Sequence, residues 1–394
     1  GIPMKWKQWL KNIKKKWLPN NPTPYEVLQT YENSLYWQRV ECIKGHQPLL
    51  KQEKFIEQVE HKDPEIILFF QGPQPSSHLF LLHEHPPLPG TPKKQVPVLL
   101  VHGASHQGNL SWCKSISEEK GLLFPLIQSG YHVFAITFAH PHGENKMQGI
   151  QVSNAIRRII EVTGSNEVDV IAHSKGGVPA RLYASNLLEQ EGAPYETYIR
   201  KYIMLGTPNK GIDFVFRNVT ANYGVINKNI SAPVACDSLM YFGSYLDTTS
   251  RSIYGDGGAF PGQAQLLYRW DDKYPVTPDN RTLYYGGQTM LYHSRGIEAA
   301  MLEGNQFIEK MLEKPAHPSV QLYALAGTYP FFKGIPGEQS GKSDGLVLVE
   351  SVLEIEQMAS TPSQIRKKEE KSLNHLDLLY HHKAHQWVLS ALEE

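Results

Sequence analysis

The sequence predicts an α/β protein with a mostly parallel, doubly wound sheet, and three observations lead to that prediction. Apolar runs of strand length alternate with helical patterns through residues 96–210, an order that builds a parallel sheet covered on both faces. The apolar run 168–172 leads into a short polar turn and then another helical pattern. The alternation is lost over 211–318 and resumes at 320–326, which predicts a cap inserted into the sheet domain.

Composition narrows the function classes before any motif is considered. Of 394 residues, 41% are hydrophobic and 20% charged, so the chain can bury a full core. Lys plus Arg and Asp plus Glu each total 39, which gives no electrostatic reason to expect nucleic-acid binding. The three cysteines are widely spaced and exclude a zinc ribbon or a disulfide scaffold. We expect neither a cofactor nor a metal site.

The first part of an N-terminal extension, residues 4–95, is basic and rich in tryptophan. Residues 4–18 contain six lysines and no acid, and their apolar side chains fall on one face at helical spacing: Trp6, Trp9, Leu10, Ile13 and Trp17. This pattern is typical of an amphipathic helix that contacts a membrane or lipid surface. The alternative is a helix whose tryptophans dock on the body of the protein.

The rest of the extension predicts mixed structure. A helical pattern covers residues 25–40, and the stretches 65–71 and 77–83 predict antiparallel edge strands. No secretory signal is visible and no run reaches the length of a membrane span. A cytoplasmic or membrane-peripheral location is therefore favoured, with secretion after processing as the alternative.

The predicted sheet domain combines residues 96–210 with 319–394, and the cap occupies 211–318. The cap stretch is rich in Tyr, Gly and Asn and lacks sheet periodicity. Long insertions of this kind tend to shape binding sites. Residues 365–371 carry so many charges that we expect a solvated helix or loop.

The turn after the apolar run 168–172 has the pattern of a nucleophile elbow. Its order is strand, His173-Ser174-Lys175-Gly176-Gly177, then helix, which forces the serine into a strained conformation and exposes its hydroxyl. Small residues at Ala172 and Gly176 let strand and helix pass close together. The alternative is an unremarkable serine in a turn.

A serine nucleophile needs a base, and the base needs an acid that orients it. Asp344, in a turn after the last strong strand, and His375, before the C-terminal helical stretch, follow Ser174 in the order serine, acid, histidine. Other residues compete for the two roles, namely Asp271, Asp272, Glu350 and Asp377 as acid and His381, His382 and His385 as base.

An oxyanion hole needs two backbone N–H groups, one from the residue after the nucleophile and one from the loop after an earlier strand. The sequence assigns these to Lys175 and Ala104. We expect the Lys175 side chain to project into solvent, the alternative being that its charge favours anionic groups.

Five motifs together resemble the bacterial triacylglycerol lipases and related esterases of the α/β-hydrolase fold. They are Val101-His102-Gly103, Ala172-His173-Ser174-Lys175-Gly176-Gly177, Leu205-Gly206-Thr207-Pro208, Ser343-Asp344-Gly345-Leu346-Val347 and Asn374-His375-Leu376-Asp377-Leu378. The resemblance covers about residues 95–210 and 320–390. It implies a Ser174–His375–Asp344 triad with oxyanion donors at Ala104 and Lys175.

These features predict a serine carboxylic-ester hydrolase that forms an acyl-enzyme. The aromatic-rich cap and the basic N-terminus favour apolar acyl esters at a lipid interface, hence a lipase or long-chain esterase. The alternatives are a polyester depolymerase, since the polyhydroxyalkanoate depolymerases share this arrangement, and an acyltransferase or non-catalytic protein of the same fold.

Overall fold

The computed structural model describes residues 4–5, 24–55, 57–113, 120–218, 260–289, 293–305 and 307–394. The predicted amphipathic helix lies outside the described residues apart from Met4 and Lys5, and so does the 219–259 part of the predicted cap.

One large sheet organises the described chain. The strands, in chain order, are β1 Tyr25–Tyr31, β2 Arg39–Gly45, β3 Leu79–His85, β4 Val98–Val101, β5 Val133–Phe138, β6 Val168–His173, β7 Ile199–Leu205, β8 Gly287–Gln288, β9 His293–Ser294, β10 Gln321–Gly327, β11 Phe331–Phe332, β12 Ile335–Pro336 and β13 Ile365–Lys371. Nine of them form the sheet in the order β1-β2-β3-β5-β4-β6-β7-β10-β13. The last six of that order are parallel, whereas β1, β2 and β3 join antiparallel. The prediction of a mostly parallel sheet is confirmed.

Helices cover both faces of the sheet and supply the predicted cap segment. They are α1 Pro64–Phe70, α2 Gly108–Trp112, α3 Leu123–Gln128, α4 Asn145–Thr163, α5 Gly177–Ala184, α6 Phe214–Arg217, α7 Pro261–Ala264, α8 Arg281–Tyr285, α9 Gly296–Glu303, α10 Phe307–Leu312, α11 Val349–Val352, α12 Asp377–Tyr380 and α13 His382–Glu393. In the described parts of the chain, no helix is long and apolar enough to cross a membrane.

The central strands are buried on both faces, as a doubly wound sheet requires. All four residues of β4 are fully buried, and they alternate between two cores. Leu99 and Val101 pack in the core that contains the apolar residues of α4 and α5, whereas Val98 and Leu100 pack in the core of α1, α3 and α13. This double covering explains why β4 consists of four consecutive apolar residues.

Two predictions for the N-terminal extension are wrong. Residues 25–40 do not form a helix, because Tyr25–Tyr31 is an antiparallel edge strand paired with β2. Residues 65–71 do not form a strand, because Asp63 caps the helix α1 by accepting hydrogen bonds from the N–H groups of Glu65 and Ile66. Pro64 at the first helical position was the readable signal for this helix.

The charged stretch Ile365–Lys371 is the opposite edge strand rather than a helix or loop. It pairs in parallel with β10, which is its single partner strand in the described sheet. Charged side chains on an edge strand discourage pairing with another chain. The charge density that we took for a solvated helix or loop is thus compatible with a strand at the rim of a sheet.

The described part of the predicted cap has an apolar cluster of its own. Phe216, Phe260, Leu267, Tyr284 and Ile297 are buried together in a cluster separate from the two sheet cores. The backbone bridge between Ile212 and Leu267 joins this segment to the turn after β7. The cluster therefore lies at the carboxyl ends of the parallel strands. Open α/β sheets bind ligands at this edge.

Candidate active site

Ser174 lies in the strained turn that its sequence predicts. β6 ends at His173, Ser174 has φ of 53°, and one turn of 3₁₀ helix leads into α5. A positive φ is unfavourable for a residue other than glycine, and at a functional turn it marks a conformation imposed by the surrounding structure. The side chain of Ser174 is partly exposed between buried neighbours. The turn therefore presents the hydroxyl at the edge of the sheet.

Two glycines allow the turn to approach the loop after β4. A Cβ atom at Gly176 would lie 2.3 Å from the carbonyl oxygen of His102, and one at Gly103 would lie 2.9 Å from the carbonyl oxygen of His173. A real side chain does not fit at these distances. The close approach brings the proposed oxyanion donors, Ala104 and Lys175, to the same cavity as Ser174.

His375 and Asp344 are held together by side chain and backbone. His375 Nδ1 lies 2.6 Å from Asp344 Oδ2, and the His375 N–H donates to the carbonyl oxygen of Asp344 at 2.9 Å. Both residues are buried. Asp344 Oδ1 also accepts the N–H groups of Leu346 and Val347, at 3.0 and 2.9 Å. The carboxylate is fixed by three donors, and it keeps the proton of His375 on Nδ1.

Ser174 and His375 line one cavity of about 300 Å³. With the proton on Nδ1, the Nε2 atom of His375 is the ring nitrogen that can accept the serine proton. No hydrogen bond joins Ser174 to His375 in the described structure, and such bonds often shorten only when substrate is bound. The other wall of the cavity is apolar and includes Pro208, Ile212, Phe214, Val215, Leu266, Leu346, Val347 and Leu376.

The competing acids have other partners. Asp377 accepts the N–H of Asn374 at 3.0 Å and receives no hydrogen bond from His375 in the described structure. Asp271 pairs with Arg269 at 2.6 Å, and this hydrogen bond lowers the pKa of the Asp271 carboxyl to about 2. Glu350 accepts a hydrogen bond from Tyr274 at 2.6 Å. For Asp272 the structure gives no comparable partner in the residues it describes.

The competing histidines also have partners other than Ser174. His385 Nε2 lies 2.6 Å from the carbonyl oxygen of Leu379, and His381 caps α13 by accepting the N–H of Lys383 at 3.1 Å. His382 stacks on His381. Among the described residues no three His, Cys, Asp or Glu side chains are grouped to hold a metal ion.

His173 is a supporting residue that the sequence reasoning did not assign. Its Nε2 lies 2.9 Å from the carbonyl oxygen of His375, and the two rings are 4.7 Å apart. Burial lowers the pKa of His173 well below its ordinary value, so the ring is neutral and donates from Nε2. Its position beside the serine in the motif was the available signal.

Gly206 is a second residue with an unassigned role, and it lies against the histidine–aspartate pair. It has φ of +62°, and a Cβ there would lie 3.1 Å from His375 Nδ1 and 3.2 Å from Asp344 Oδ2. The absence of a side chain after β7 lets the pair pack directly against the sheet. In the sequence, this glycine stands out only as part of a family motif.

The prediction that the Lys175 side chain projects into solvent is wrong. The residue is 2% exposed, and its Nζ donates to the carbonyl oxygen of Gly143 at 2.8 Å and to Gln148 Oε1 at 2.6 Å. Its partners lie on the loop before α4 and on α4 itself, about thirty positions earlier in the chain. Tertiary packing decides the direction of this side chain.

The mostly parallel sheet and the serine turn after β6 are those of an α/β-hydrolase. Residues 95–252 match the family described as lipase (class 2), which is less than half of the chain. Together, the fold and this match support a carboxylic ester hydrolase.

Solved structures with a similar fold include three ester hydrolases. The mature form of a lipase from Bacillus licheniformis is 14% identical with a TM-score of 0.47, covering 79% of this chain and 97% of that one. A soluble variant of monoglyceride lipase from Saccharomyces cerevisiae is 13% identical with a TM-score of 0.44, covering 80% and 90%. A thermostable carboxyl esterase from Bacillus coagulans is 12% identical with a TM-score of 0.42, covering 80% and 94%.

Proposed function

We propose that the chain hydrolyses apolar acyl esters through a Ser174–His375–Asp344 triad and an acyl-enzyme. The observation that carries the proposal is that the strained Ser174 and His375 line a single, largely apolar cavity, and that the buried Asp344 holds the imidazole of His375 from behind that lining. Each of the three side chains matches one role of a serine hydrolase in position, and His375 and Asp344 also match theirs in hydrogen bonding.

In the first half-reaction, Ser174 Oγ attacks the acyl carbonyl carbon while His375 Nε2 accepts the serine proton. Asp344 stabilises the resulting imidazolium and keeps its orientation. The backbone N–H groups of Ala104 and Lys175 stabilise the negative oxygen of the tetrahedral intermediate. The intermediate collapses, the C–O bond to the alcohol breaks, and His375 returns the proton to the departing alkoxide.

In the second half-reaction, water replaces the alcohol. His375 Nε2 takes a proton from the water as its oxygen attacks the acyl carbon of the ester on Ser174. Collapse of the second tetrahedral intermediate releases the carboxylic acid and restores the serine hydroxyl. The apolar wall formed by residues such as Ile212, Val215 and Leu266 favours acyl chains over charged substrates.

The proposal also includes a lipid surface as the place where substrate is met. The basic, tryptophan-bearing residues 4–18 favour contact with anionic lipid, which the lysines attract and the tryptophans anchor. This part of the proposal rests on the sequence of that segment.

Replacement of the nucleophile tests the proposed chemistry. We expect Ser174→Ala to lower kcat for a soluble p-nitrophenyl ester by about 10⁴- to 10⁶-fold, because the acyl-enzyme cannot form. Ser185→Ala is the control, since Ser185 is a buried serine at the C-terminal cap of α5, the helix that follows the Ser174 turn. Its kcat should equal that of the wild type. Turnover by Ser174→Ala at the wild-type rate would refute the proposed mechanism.

The apolar cavity predicts a preference among acyl chains. Each additional buried methylene contributes about 0.8 kcal/mol to binding in an apolar site, so kcat/KM should rise about fourfold per added methylene until the cavity is filled. A series of p-nitrophenyl esters from acetate to laurate measures this directly. Equal kcat/KM along the series would contradict the assignment of the cavity to the acyl group.

A further inference from the structure

The buried ammonium of Lys175 is not used in the proposed chemistry, although Lys175 directly follows the nucleophile in the chain. Its two acceptors are the carbonyl oxygen of Gly143 and Gln148 Oε1. Burial lowers its pKa to about 7, while the nearby carboxylates of Glu53 and Glu144 oppose that shift. A charged group is costly to bury, so its position calls for a reason.

Residues 140–144 connect β5 to α4, and we call them the bracket loop. They contact the side chain of one proposed oxyanion donor, Lys175, and the residue next to the other donor, Ala104. On one side, the carbonyl oxygen of Gly143 accepts the Lys175 ammonium at 2.8 Å. On the other side, the Ser105 N–H donates to the carbonyl oxygen of Pro141 at 3.2 Å. Ser105 directly follows Ala104 and has φ of 65°. The same loop therefore binds the side chain of Lys175 and the backbone of Ser105.

A buried histidine makes the second connection between Ser105 and the bracket loop. Ser105 Oγ lies 2.9 Å from His142 Nε2, and Gln263 Nε2 lies 2.9 Å from His142 Nδ1. Because an amide nitrogen can only donate, His142 Nδ1 accepts, and the ring proton on Nε2 is donated to Ser105. Burial lowers the pKa of His142 well below its ordinary value, which keeps the ring in this neutral form.

The bracket loop is itself held by hydrogen bonds to Glu53, to α4 and to the predicted cap segment. Glu144 donates its N–H to Glu53 Oε2 at 3.0 Å, and the side-chain amide of Gln148 donates to the carbonyl oxygen of His140 at 3.0 Å. The N–H of Gly262 donates to the carbonyl oxygen of His142 at 3.0 Å. With these contacts the loop is a fixed support rather than a loose connection.

We propose that Lys175 is a positioning residue. Its buried ammonium donates a hydrogen bond to the bracket loop and thereby sets the spacing between the backbone N–H donors of Lys175 and Ala104. The inference rests on the proposed function, since it assumes that these two N–H groups bind the oxyanion. An oxyanion donor works only within hydrogen-bond distance of the developing charge, so a small change in spacing affects the transition state more than the substrate complex.

The test replaces Lys175 by methionine, which has similar length and no donor. We expect Lys175→Met to lower kcat on a soluble p-nitrophenyl ester by about 10- to 100-fold, with KM changed by less than about threefold. Affinity for an alkyl boronic acid, which forms a tetrahedral anionic adduct with the serine, should fall by a similar factor. A purely structural role would not couple these two readouts.

Lys201→Met is the matched control, because the chain offers a second buried lysine far from Ser174. Lys201 is 1% exposed, and its Nζ donates to the carbonyl oxygens of Ala391 and Leu392 near the C-terminus. Its replacement should lower the melting temperature and leave kcat unchanged. Equal losses of kcat in Lys175→Met and Lys201→Met would overturn the proposal, because general destabilisation would then explain both.

Ser105→Ala keeps the test available if Lys175→Met does not fold. Ser105 is exposed, and the substitution removes the hydroxyl held by His142 on the other side of the bracket loop. We expect a several-fold lower kcat with unchanged KM. Wild-type kcat in the folded variant of either residue would overturn the positioning role. If Ser174→Ala is inactive while Lys175→Met is fully active, only this inference fails; if Ser174→Ala is active, the proposed function fails.

Discussion

Two fully buried aspartates at opposite ends of the parallel strands differ in what surrounds them. Asp169 lies near the beginning of β6, where Arg200 binds both carboxylate oxygens at 2.9 and 2.6 Å. Asp344 lies against the carboxyl end of β10, because a Cβ at Gly327 would be 2.8 Å from the Cβ of Asp344. Its partners are His375 and two backbone N–H groups.

In the proposed mechanism, the same residue type holds two strands together at one edge of the sheet and orients the catalytic base at the other. The carboxylate of Asp169 forms an ion pair with Arg200, whose guanidinium is always charged, and this pair links β6 to β7. Asp344 is paired with an imidazole, whose charge can change during a reaction. Only the second arrangement can take part in proton transfer.

The largest effect that tests this comparison is expected from Asp344→Asn. The Asn oxygen would keep the N–H groups of Leu346 and Val347, while its NH₂ group would face His375 Nδ1. The imidazole would then carry its proton on Nε2 and could not accept one from Ser174, so kcat should fall about 10⁴-fold with the fold retained. Steady-state kinetics with a p-nitrophenyl ester and thermal melting measure both effects.

Asp169→Asn is the control for that substitution. It leaves the guanidinium of Arg200 without its partner, and stability should fall by about 1–3 kcal/mol, less than for a fully buried pair because Arg200 is 29% exposed. Its kcat should be unchanged in the folded protein. A large loss of kcat in Asp169→Asn, or none in Asp344→Asn, would remove the distinction between the two ends.

A smaller effect is expected where the sheet meets the histidine–aspartate pair. Gly206→Ala adds a methyl group 3.1 Å from His375 Nδ1, which shifts the imidazole, and kcat should fall about 10- to 100-fold. Gly164→Ala is the matched control, since Gly164 also has positive φ, +71°, but has open space around its Cβ position. Both variants should lose about 1 kcal/mol of stability from backbone strain. Equal kcat in the two would show that the packing of Gly206 on the pair has no catalytic consequence.

The features that the sequence predicted well are those that depend on local order. The turn at Ser174 follows from an apolar strand, a small residue and a glycine pair within ten positions, and the structure has the positive φ that such a turn requires. Asp344 and His375 were selected by chain order, and the structure brings them to hydrogen-bond distance. Their catalytic roles stay predictions that the substitutions above test.

The features that the sequence did not reveal depend on partners distant in the chain. Lys175 was expected in solvent, yet its acceptors come from the loop before α4 and from α4. The stretch 365–371 has the composition of a solvated helix, and its strand conformation is supplied by pairing with β10. The helix α1 is different, since its cap at Asp63 and the following proline were readable signals.

Covalent labelling of Ser174 tests the central claim most directly. A fluorophosphonate reacts with an activated serine by forming an O–P bond and releasing fluoride, and the adduct is seen by intact mass and located by peptide mapping. We predict one adduct per chain, on Ser174, formed in the wild type and in Ser185→Ala but not in Ser174→Ala. An adduct on another residue, or none on an enzyme that still hydrolyses the ester, would contradict the assignment of Ser174 as the nucleophile.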